Sequence, residues 1–390
     1  MKYDFDKLTD RRGRGALKWE VPEGELPMLV ADMDFETAPE VIGDIKERAA
    51  HGIFGYSVVT DDWYHAYQDW WGRRHGLKID RDWLVFCTGV VPAISSAVRK
   101  LTTVGEKVLV QTPVYNIFFN SIRNNGRVIL ESPLAYDGVE YAVDWVDLEE
   151  KLADPQTTMM LLCNPHNPVG KIWDRETLGR IGELCHKHHV LVLSDEIHCD
   201  LTDPGYEYVP FASVSDVCRE NSITCLAPTK TFNIAGLQTA AVMVPDSVTR
   251  HKLDRGLNTD EVAEPNVFAV GAAVAAFTRG EAWLEELRQY LYENKQLVRT
   301  FVEREIPGMK VVPSQATYLL WLDCSGITED ATELAGFIRK DSGLYLTEGE
   351  EYGVPGRKFM RLNTACPRKR LQEGLERLRQ SVSAYTSGKM

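Results

Sequence analysis

The 390-residue sequence has no apolar run long enough to span a bilayer, and Met1 to Asp6 lack the hydrophobic core of a signal peptide. It also lacks a basic excess, since 57 acidic against 44 basic side chains give a formal net charge of −13. Nucleic acid and anionic lipid need a basic face, so neither is an expected partner. No internal repeat, low-complexity tract or disordered linker interrupts the chain. These absences predict a globular cytoplasmic protein.

Closely spaced cysteine pairs are missing as well. The eight cysteines form no C-x-x-C motif, and several lie inside apolar runs, which favours reduced thiols packed as small hydrophobic side chains. The cluster Cys185 to His189 could suggest zinc, but it closes a predicted helix, where cationic side chains suit the C-terminus. The cysteines therefore predict a reducing compartment and no metal site.

From about residue 80, apolar strands alternate with helical stretches. Seven strands are predicted: Leu84–Cys87, Lys107–Val110, Val128–Ser132, Met159–Cys163, Val190–Ser194, Ile223–Leu226 and Thr239–Val244. The helices between them include Pro92–Leu101, Asp174–His188 and Val248–Leu257. This alternation indicates an α/β fold with a mostly parallel seven-stranded sheet covered by helices.

Three regions are predicted along the chain. Residues 1–45 form an N-terminal arm that contributes to a small domain, residues 46–290 a large sheet domain, and residues 291–390 a smaller α+β domain. The long helix Glu281–Glu305 leads into the last region, whose strands include Thr317–Leu322, Leu344–Thr347 and Phe359–Leu362.

Lys230 stands in an unusual place for a lysine. It follows the predicted strand Ile223–Leu226, lies between Thr229 and Thr231, and precedes the flexible pair Ala235-Gly236. A lysine in a partly desolvated pocket can lose its proton and attack a carbonyl carbon. The position makes Lys230 a candidate for Schiff-base formation, and an ordinary inert lysine is the alternative.

Other polar residues also follow predicted strands, where the ligands of such sheets bind. Asn167 lies in Asn164-Pro-His-Asn-Pro-Val-Gly170, a rigid loop suited to presenting an amide. Asp195 comes directly after the next strand, where a carboxylate is either a structural cap or a functional group. Arg361 lies among apolar neighbours and needs an anionic partner, which is either a protein carboxylate or a substrate carboxylate.

Two further stretches suit a flat, anionic ligand. Phe86 to Pro92 runs from a strand through Gly89 into a helix, whose first backbone N–H groups can bind an anion. This stretch matches neither the Walker loop nor the dinucleotide fingerprint. Tyr115, just past another strand, is either a core residue or a flat partner for a flat cofactor.

The chain contains, in this order, Gly89-Val-Val, Tyr115, Asn167, Asp195, Lys230 and Arg361. In this series it resembles the pyridoxal-phosphate (PLP) enzymes of the class I/II aminotransferase superfamily, of fold type I. The resemblance covers nearly the whole chain. Five stretches are most similar to its MalY/PatB branch of cystathionine β-lyases or C–S lyases: Ala31–Phe35, Thr88–Ile94, Asn164–Gly170, Ser194–His198 and Lys230–Leu237.

The resemblance implies that the large domain binds PLP and assigns residues to its ring. Lys230 would form the Schiff base and later move the substrate proton, and Asp195 would keep the ring nitrogen protonated. Tyr115 would stack on the ring. Asn167 and His198, the latter in place of the superfamily's usual tyrosine, would lie near its phenolic oxygen.

The resemblance also implies a phosphate site. The amides of Val90 and Val91 and the Thr229 hydroxyl would hold the phosphate. The family commonly has an arginine where this chain has Gln238, so other donors must compensate. Members of the branch resemble homodimers in which a tyrosine reaches the neighbouring active site. Tyr56 matches that position, although an ordinary surface turn is the alternative.

The implied substrate is a small sulfur amino acid. Arg361 would bind its α-carboxylate in a bidentate pair, the Ala31 segment would close over that group, and Asn167 and Tyr56 would also face the substrate. The branch predicts a C–S β-lyase that converts L-cystathionine or related cysteine S-conjugates to a thiol, pyruvate and ammonia. A class I/II aminotransferase and a cofactor-binding protein with a regulatory partner remain the alternatives.

Overall fold

The computed structural model describes residues 2–388. Met1, in the predicted arm, and Lys389 and Met390, in the predicted small domain, lie outside the described residues. Within residues 2–388, no helix combines the length and the apolar character needed to cross a membrane.

A seven-stranded sheet forms the centre of the molecule. Its strands are β2 (Leu84–Cys87), β3 (Lys107–Val110), β4 (Val128–Glu131), β7 (Thr157–Cys163), β8 (Leu191–Asp195), β9 (Ser222–Leu226) and β10 (Ala240–Met243). They lie in the order β2-β10-β9-β8-β7-β3-β4, and β10 is the one strand of this sheet that runs in the opposite direction to the other six. The predicted α/β fold is confirmed, and each predicted strand occurs with its ends shifted by at most two residues.

Smaller sheets complete the strand structure. A four-stranded antiparallel sheet has the order β11-β12-β15-β14, formed by β11 (Lys310–Val311), β12 (Leu319–Asp323), β14 (Thr347–Glu348) and β15 (Phe359–Asn363). Two strand pairs are β1 (Leu26–Pro27) with β13 (Leu344–Tyr345), and β5 (Ala135–Tyr136) with β6 (Tyr141–Ala142). The single strand predicted at Leu344–Thr347 is therefore divided between β13 and β14, which belong to different sheets.

Helices pack around these sheets. Twelve α-helices occur in the described residues: α1 (Pro39–His51), α2 (Asp61–His75), α3 (Val90–Leu101), α4 (Ile117–Arg123), α5 (Trp145–Leu152), α6 (Arg175–Lys187), α7 (Asp216–Glu220), α8 (Ser247–Thr259), α9 (Ala269–Arg279), α10 (Glu281–Glu305), α11 (Ala331–Ser342) and α12 (Arg368–Ser387). Aspartate side chains cap the first turns of four of them, α5, α6, α8 and α11. The predicted helix Glu281–Glu305 matches α10, whereas α3 begins at Val90, two residues before the proline expected to open it.

The N-terminal arm packs on the C-terminal part of the chain. Trp19, Leu26 and Met28 share a buried apolar cluster with side chains of α10, α11 and α12. Asp34 fixes the next part of the arm, because its carboxylate forms ion pairs with Arg11, Lys18 and Arg370 at 2.8, 3.3 and 3.0 Å. Asn233, in the loop after β9, accepts from Met33 N at 2.9 Å and donates to Phe35 O at 2.9 Å, so it holds the segment from Ala31 to Phe35 against that loop. The boundaries at residues 45 and 290 stay a prediction.

Candidate active site

One cavity lies beyond the carboxyl ends of β7 and β8, which end at Cys163 and Asp195. It has a volume of about 260 Å³, and we call it the lysine cavity. Every predicted site residue except Arg361 and Tyr56 lines it: Ala31, Val90, Val91, Tyr115, Asn167, Asp195, His198, Thr229 and Lys230. The fold therefore gathers, from distant parts of the chain, residues that the sequence places at separate strand ends.

Lys230 lies in a tight loop after β9. The loop is held by backbone hydrogen bonds from Phe232 N to Pro228 O (2.8 Å) and from Ile234 N to Thr229 O (3.0 Å). The Lys230 amine donates to the carbonyl oxygen of Ala31 at 2.5 Å. Burial and then the nearby positive charge of Arg361 lower the pKa of this amine, and the charges of Asp32 and Asp195 act in the opposite direction, so that the pKa is about 8. A far larger fraction of this amine than of an ordinary lysine is therefore neutral, and nucleophilic, close to neutral pH.

Asp195, the last residue of β8, and His198, three residues further along the chain, both line the cavity. Burial raises the pKa of Asp195 to about 6, although a hydrogen bond from Ile197 N at 3.2 Å and the charge of Lys230 act in the opposite direction. The carboxylate thus caps the turn after β8 and also faces the cavity. Burial lowers the pKa of His198 to about 3, and its buried Nδ1 has no hydrogen-bond partner among residues 2–388. Such groups suit a polar ligand that supplies the missing partners.

Arg361 lies on β15 and is only 5% exposed. Its Nη1 donates to Asn167 Oδ1 at 3.2 Å, and its Nη2 donates to the carbonyl oxygen of Leu29 at 2.9 Å. Within the described chain no carboxylate pairs with this guanidinium, and its buried Nε has no partner. The sequence leaves two partners open for Arg361, a protein carboxylate and a substrate carboxylate. The salt bridge to a protein carboxylate is absent from the described residues. A buried cation without a counter-ion is costly, so the site favours an anionic ligand.

The start of α3 also lines the cavity. The amides of Val90 and Val91 belong to the first turn, where backbone N–H groups have no partner inside the helix. Thr229 and Gln238 line the same cavity and add a hydroxyl and a side-chain amide. Free amides and the helix dipole make this end suited to a phosphate.

Tyr56 lies away from the lysine cavity. It is fully exposed in the segment between α1 and α2, where it lines a separate surface cavity with Val270 and other residues. The neighbouring Phe54 and Val58 are also exposed. Within one chain, Tyr56 therefore makes no contribution to the site.

Several residues at the site carry no prediction from the sequence. Thr88, Cys163, Ile197 and Ala235 also line the lysine cavity. The Tyr318 hydroxyl donates to the carbonyl oxygen of Ala31 at 2.9 Å, so this carbonyl is bonded from two sides. The hydroxyl of Tyr318, near the start of the predicted apolar strand Thr317–Leu322, is the sequence signal that could have identified this residue.

The polar and aromatic groups around the lysine cavity fit PLP. A low-pKa amine, a buried carboxylate, an aromatic side chain and the free amides of a helix start surround one space. They match the aldehyde, ring nitrogen, flat ring and phosphate of that cofactor. The unpartnered His198 Nδ1 is a further polar group available to it.

Comparison with known proteins agrees with this geometry. The family model for aminotransferase class I and II matches residues 26–378. The chain is 44% identical over 388 residues to cystathionine beta-lyase PatB of Bacillus subtilis (strain 168), covering 97% of this chain and 100% of that protein. It is 33% identical over 390 residues to protein MalY of Escherichia coli (strain K12), covering 98% and 99%. The PLP-bound C-S lyase from Staphylococcus hominis has a TM-score of 0.91 at 31% identity, covering 97% and 98%.

Proposed function

Because the chain belongs to the aminotransferase class I and II family, we propose that it is a PLP-dependent carbon–sulfur lyase acting on L-cystathionine or related cysteine S-conjugates. The single observation that carries this is the buried Arg361, unpaired by any described carboxylate and close enough to Lys230 to lower the pKa of its amine. A carboxylate-binding cation beside a nucleophilic amine is what an amino-acid substrate requires.

The residues that would hold PLP come from the central sheet. Lys230 would hold it covalently, Asp195 would pair with the ring nitrogen, and Tyr115 would cover one face of the ring. The first turn of α3 and the Thr229 hydroxyl would take the phosphate. When bound, PLP withdraws electrons from the α-carbon of the substrate amino acid.

The protein's own part in the reaction is positioning and proton transfer. Arg361 and Asn167, joined at 3.2 Å, would fix the substrate carboxylate and so orient the α-carbon towards Lys230. The neutral Lys230 Nζ would take the α-proton, and the β-carbon–sulfur bond would then break with loss of the thiolate. The enamine released hydrolyses in water to pyruvate and ammonia.

Elimination is favoured over transamination by the similarity to cystathionine beta-lyase PatB and to the C-S lyase structure. The test is to incubate the holoenzyme with L-cystathionine and to measure pyruvate and free thiol with and without an added keto acid. We expect equal amounts of pyruvate and thiol without the keto acid, and no product from Lys230→Ala. Product formation that depends on the keto acid, without pyruvate, would instead identify an aminotransferase.

We further propose a homodimer in which Tyr56 reaches the site of the partner. Ile53, Phe54, Tyr56 and Val58 form an exposed, largely apolar segment, and a second copy would cover it. Mixing Tyr56→Ala chains with Lys230→Ala chains tests this, because half of the dimers would then contain one intact site.

After subunit exchange, the mixture of Tyr56→Ala and Lys230→Ala chains should have about a quarter of the activity of the same amount of wild-type protein. A mixture that stays inactive, or a Tyr56→Ala variant with full activity, would contradict the shared site. Tyr206→Phe, at another exposed tyrosine, is the matched control.

A cytoplasmic location is part of the same proposal. All eight cysteines are buried free thiols, which is typical of proteins kept in a reducing compartment.

A further inference from the structure

The carbonyl oxygen of Ala31 accepts hydrogen bonds from two side chains. The Lys230 amine donates to it at 2.5 Å, and the Tyr318 hydroxyl donates to it at 2.9 Å. A carbonyl oxygen has two lone pairs, so the two donors together satisfy it. The proposed chemistry gives Tyr318 no role, and this residue does not line the lysine cavity. The shared carbonyl nevertheless connects Tyr318 to the lysine that would react.

The Ala31 carbonyl is held in place by the residues on either side of it. The Nδ2 of Asn363, on β15, donates to the Val30 carbonyl at 2.6 Å and to the Asp32 carbonyl at 2.7 Å. Asn363 is itself buried, and its backbone N–H donates to the Met28 carbonyl at 2.9 Å. These bonds do not involve the lysine amine, so they keep the Ala31 carbonyl in place when that amine moves.

The backbone at Tyr318 is fixed on both sides. The preceding Thr317 has a φ of +68°, a left-handed conformation that is rare for a β-branched residue. Its N–H donates to Leu201 O at 2.7 Å, and its carbonyl accepts from Lys295 Nζ at 3.2 Å. The Tyr318 carbonyl accepts from N and Oγ1 of Thr364 at 2.8 and 2.9 Å. The protein thus maintains a strained conformation next to the residue whose hydroxyl reaches the shared carbonyl.

The Tyr318 hydroxyl remains a donor at physiological pH. Burial and then the charge of Asp32 raise the pKa of this hydroxyl, and the charge of Arg361 acts in the opposite direction. An ordinary tyrosine already keeps its proton up to a pH of about 10, so the Tyr318 hydroxyl stays neutral. It can therefore donate to the Ala31 carbonyl whether or not Lys230 does.

Lys230 differs from Tyr318 in this respect, because the lysine has to react. Covalent attachment to the PLP aldehyde leaves at most one proton on the lysine nitrogen and directs that nitrogen to the cofactor. We therefore expect the bond from Lys230 to the Ala31 carbonyl to be lost. A carbonyl in a cavity wall that loses its last partner is unfavourable, since nothing compensates its lost hydration. With Tyr318 present, the Ala31 carbonyl keeps one partner.

We propose that Tyr318 is a positioning residue for Lys230, whose hydroxyl keeps the Ala31 carbonyl hydrogen-bonded when the lysine amine leaves it and so favours attachment of that amine to PLP. The inference depends on the PLP site but not on the elimination reaction. A lyase and an aminotransferase alike need Lys230 to leave Ala31.

Two forms of the cofactor test this inference without turnover. Each is titrated into the cofactor-free protein, and its dissociation constant is measured calorimetrically. PLP has the aldehyde that reacts with Lys230, whereas pyridoxamine 5′-phosphate has an amine in that place and leaves the lysine free to stay on Ala31. We expect Tyr318→Phe to weaken PLP binding about fivefold, the effect of one hydrogen bond. Binding of pyridoxamine 5′-phosphate should change by less than about twofold.

The matched control is Tyr141→Phe. Tyr141 is another buried tyrosine, its hydroxyl accepts from Trp321 Nε1 at 3.1 Å, and it does not line the lysine cavity. Both of its dissociation constants should equal those of the wild type. Unchanged PLP binding in Tyr318→Phe would overturn the inference, and so would an equal loss for both ligands, which is what general damage to the site produces. No amino-acid substrate is present, so these constants decide the inference whichever reaction the holoenzyme catalyses.

Discussion

Replacing Arg361 by methionine should make the Lys230 amine harder to deprotonate. Burial and then the charge of Arg361 are the two causes that lower the pKa of this amine, which is about 8 in the cofactor-free protein although Asp32 and Asp195 act in the opposite direction. At pH 7 about 9% of such an amine is neutral, against roughly 0.03% for an ordinary lysine, a difference of about 300-fold. Removing the guanidinium leaves only burial to lower the pKa, so the neutral fraction must fall.

Competitive acetylation measures that fraction residue by residue. The cofactor-free protein is treated with a trace of acetic anhydride between pH 6 and 11, and mass spectrometry compares labelling of Lys230 with that of the exposed Lys252. Wild-type labelling of Lys230 should be half-maximal near pH 8. Arg361→Met should move this midpoint to higher pH. Labelling of Lys230 at pH 7 should fall by up to tenfold for each pH unit by which the midpoint rises.

The matched control is Arg357→Met, since this arginine pairs with Asp330 on the surface, away from the lysine cavity. Its labelling curve for Lys230 should coincide with the wild-type curve. A wild-type midpoint near 10, or a midpoint that Arg361→Met leaves in place, would refute the assignment of burial and Arg361 as the causes of the low pKa.

Three further outcomes are expected. Asp200→Asn should lower the free energy of unfolding in urea by about 3 kcal/mol, because Asp200 is a buried carboxylate that pairs with Arg74 at 3.5 Å. The carboxylate also lies 2.9 Å from His75 Nε2 and accepts from Thr231 at 3.1 Å. A loss below about 1 kcal/mol would contradict this. Gly170→Ala should cost more than about 2 kcal/mol, since its Cβ would lie 2.6 Å from Ser314 Cβ at a φ of +70°. Gly205→Ala, at a φ of +88° with nothing within 4 Å, should cost only about 1 kcal/mol, and equal losses would argue against the steric explanation. Ellman's reagent should react with none of the eight thiols in the folded protein and with all of them in denaturant, and rapid labelling before unfolding would show that a cysteine is not buried as described.

The central sheet was predictable because its strands are covered on both sides. Strands such as β3 and β9 read as continuous apolar runs between turn residues, which is the pattern of buried parallel strands. Helix α2 was missed, although its buried Trp63, Tyr67 and Trp70 recur at helical spacing. Its many charged residues hide that stripe, and only the packing against α9 shows which face is buried.

The site was predictable where chemistry coincides with strand ends, as for Asp195 and Lys230. Contacts between distant parts of the chain were not. The bond from Lys230 to the Ala31 carbonyl joins residues 199 positions apart, and a backbone carbonyl leaves no mark in the sequence. The place of Tyr56 depends on a second subunit and stays a prediction.

The order of the site residues along the chain has a consequence for protein synthesis. Apart from Ala31, the residues that line the lysine cavity all lie between Thr88 and Gln238, whereas Arg361 is encoded near the end. A chain emerging from the ribosome therefore contains all strands of the central sheet and the residues proposed to hold PLP well before it contains Arg361, the residue proposed to bind the substrate carboxylate. We expect that PLP can be captured during translation, while substrate recognition begins only after release, when β15 pairs with β12 and β14.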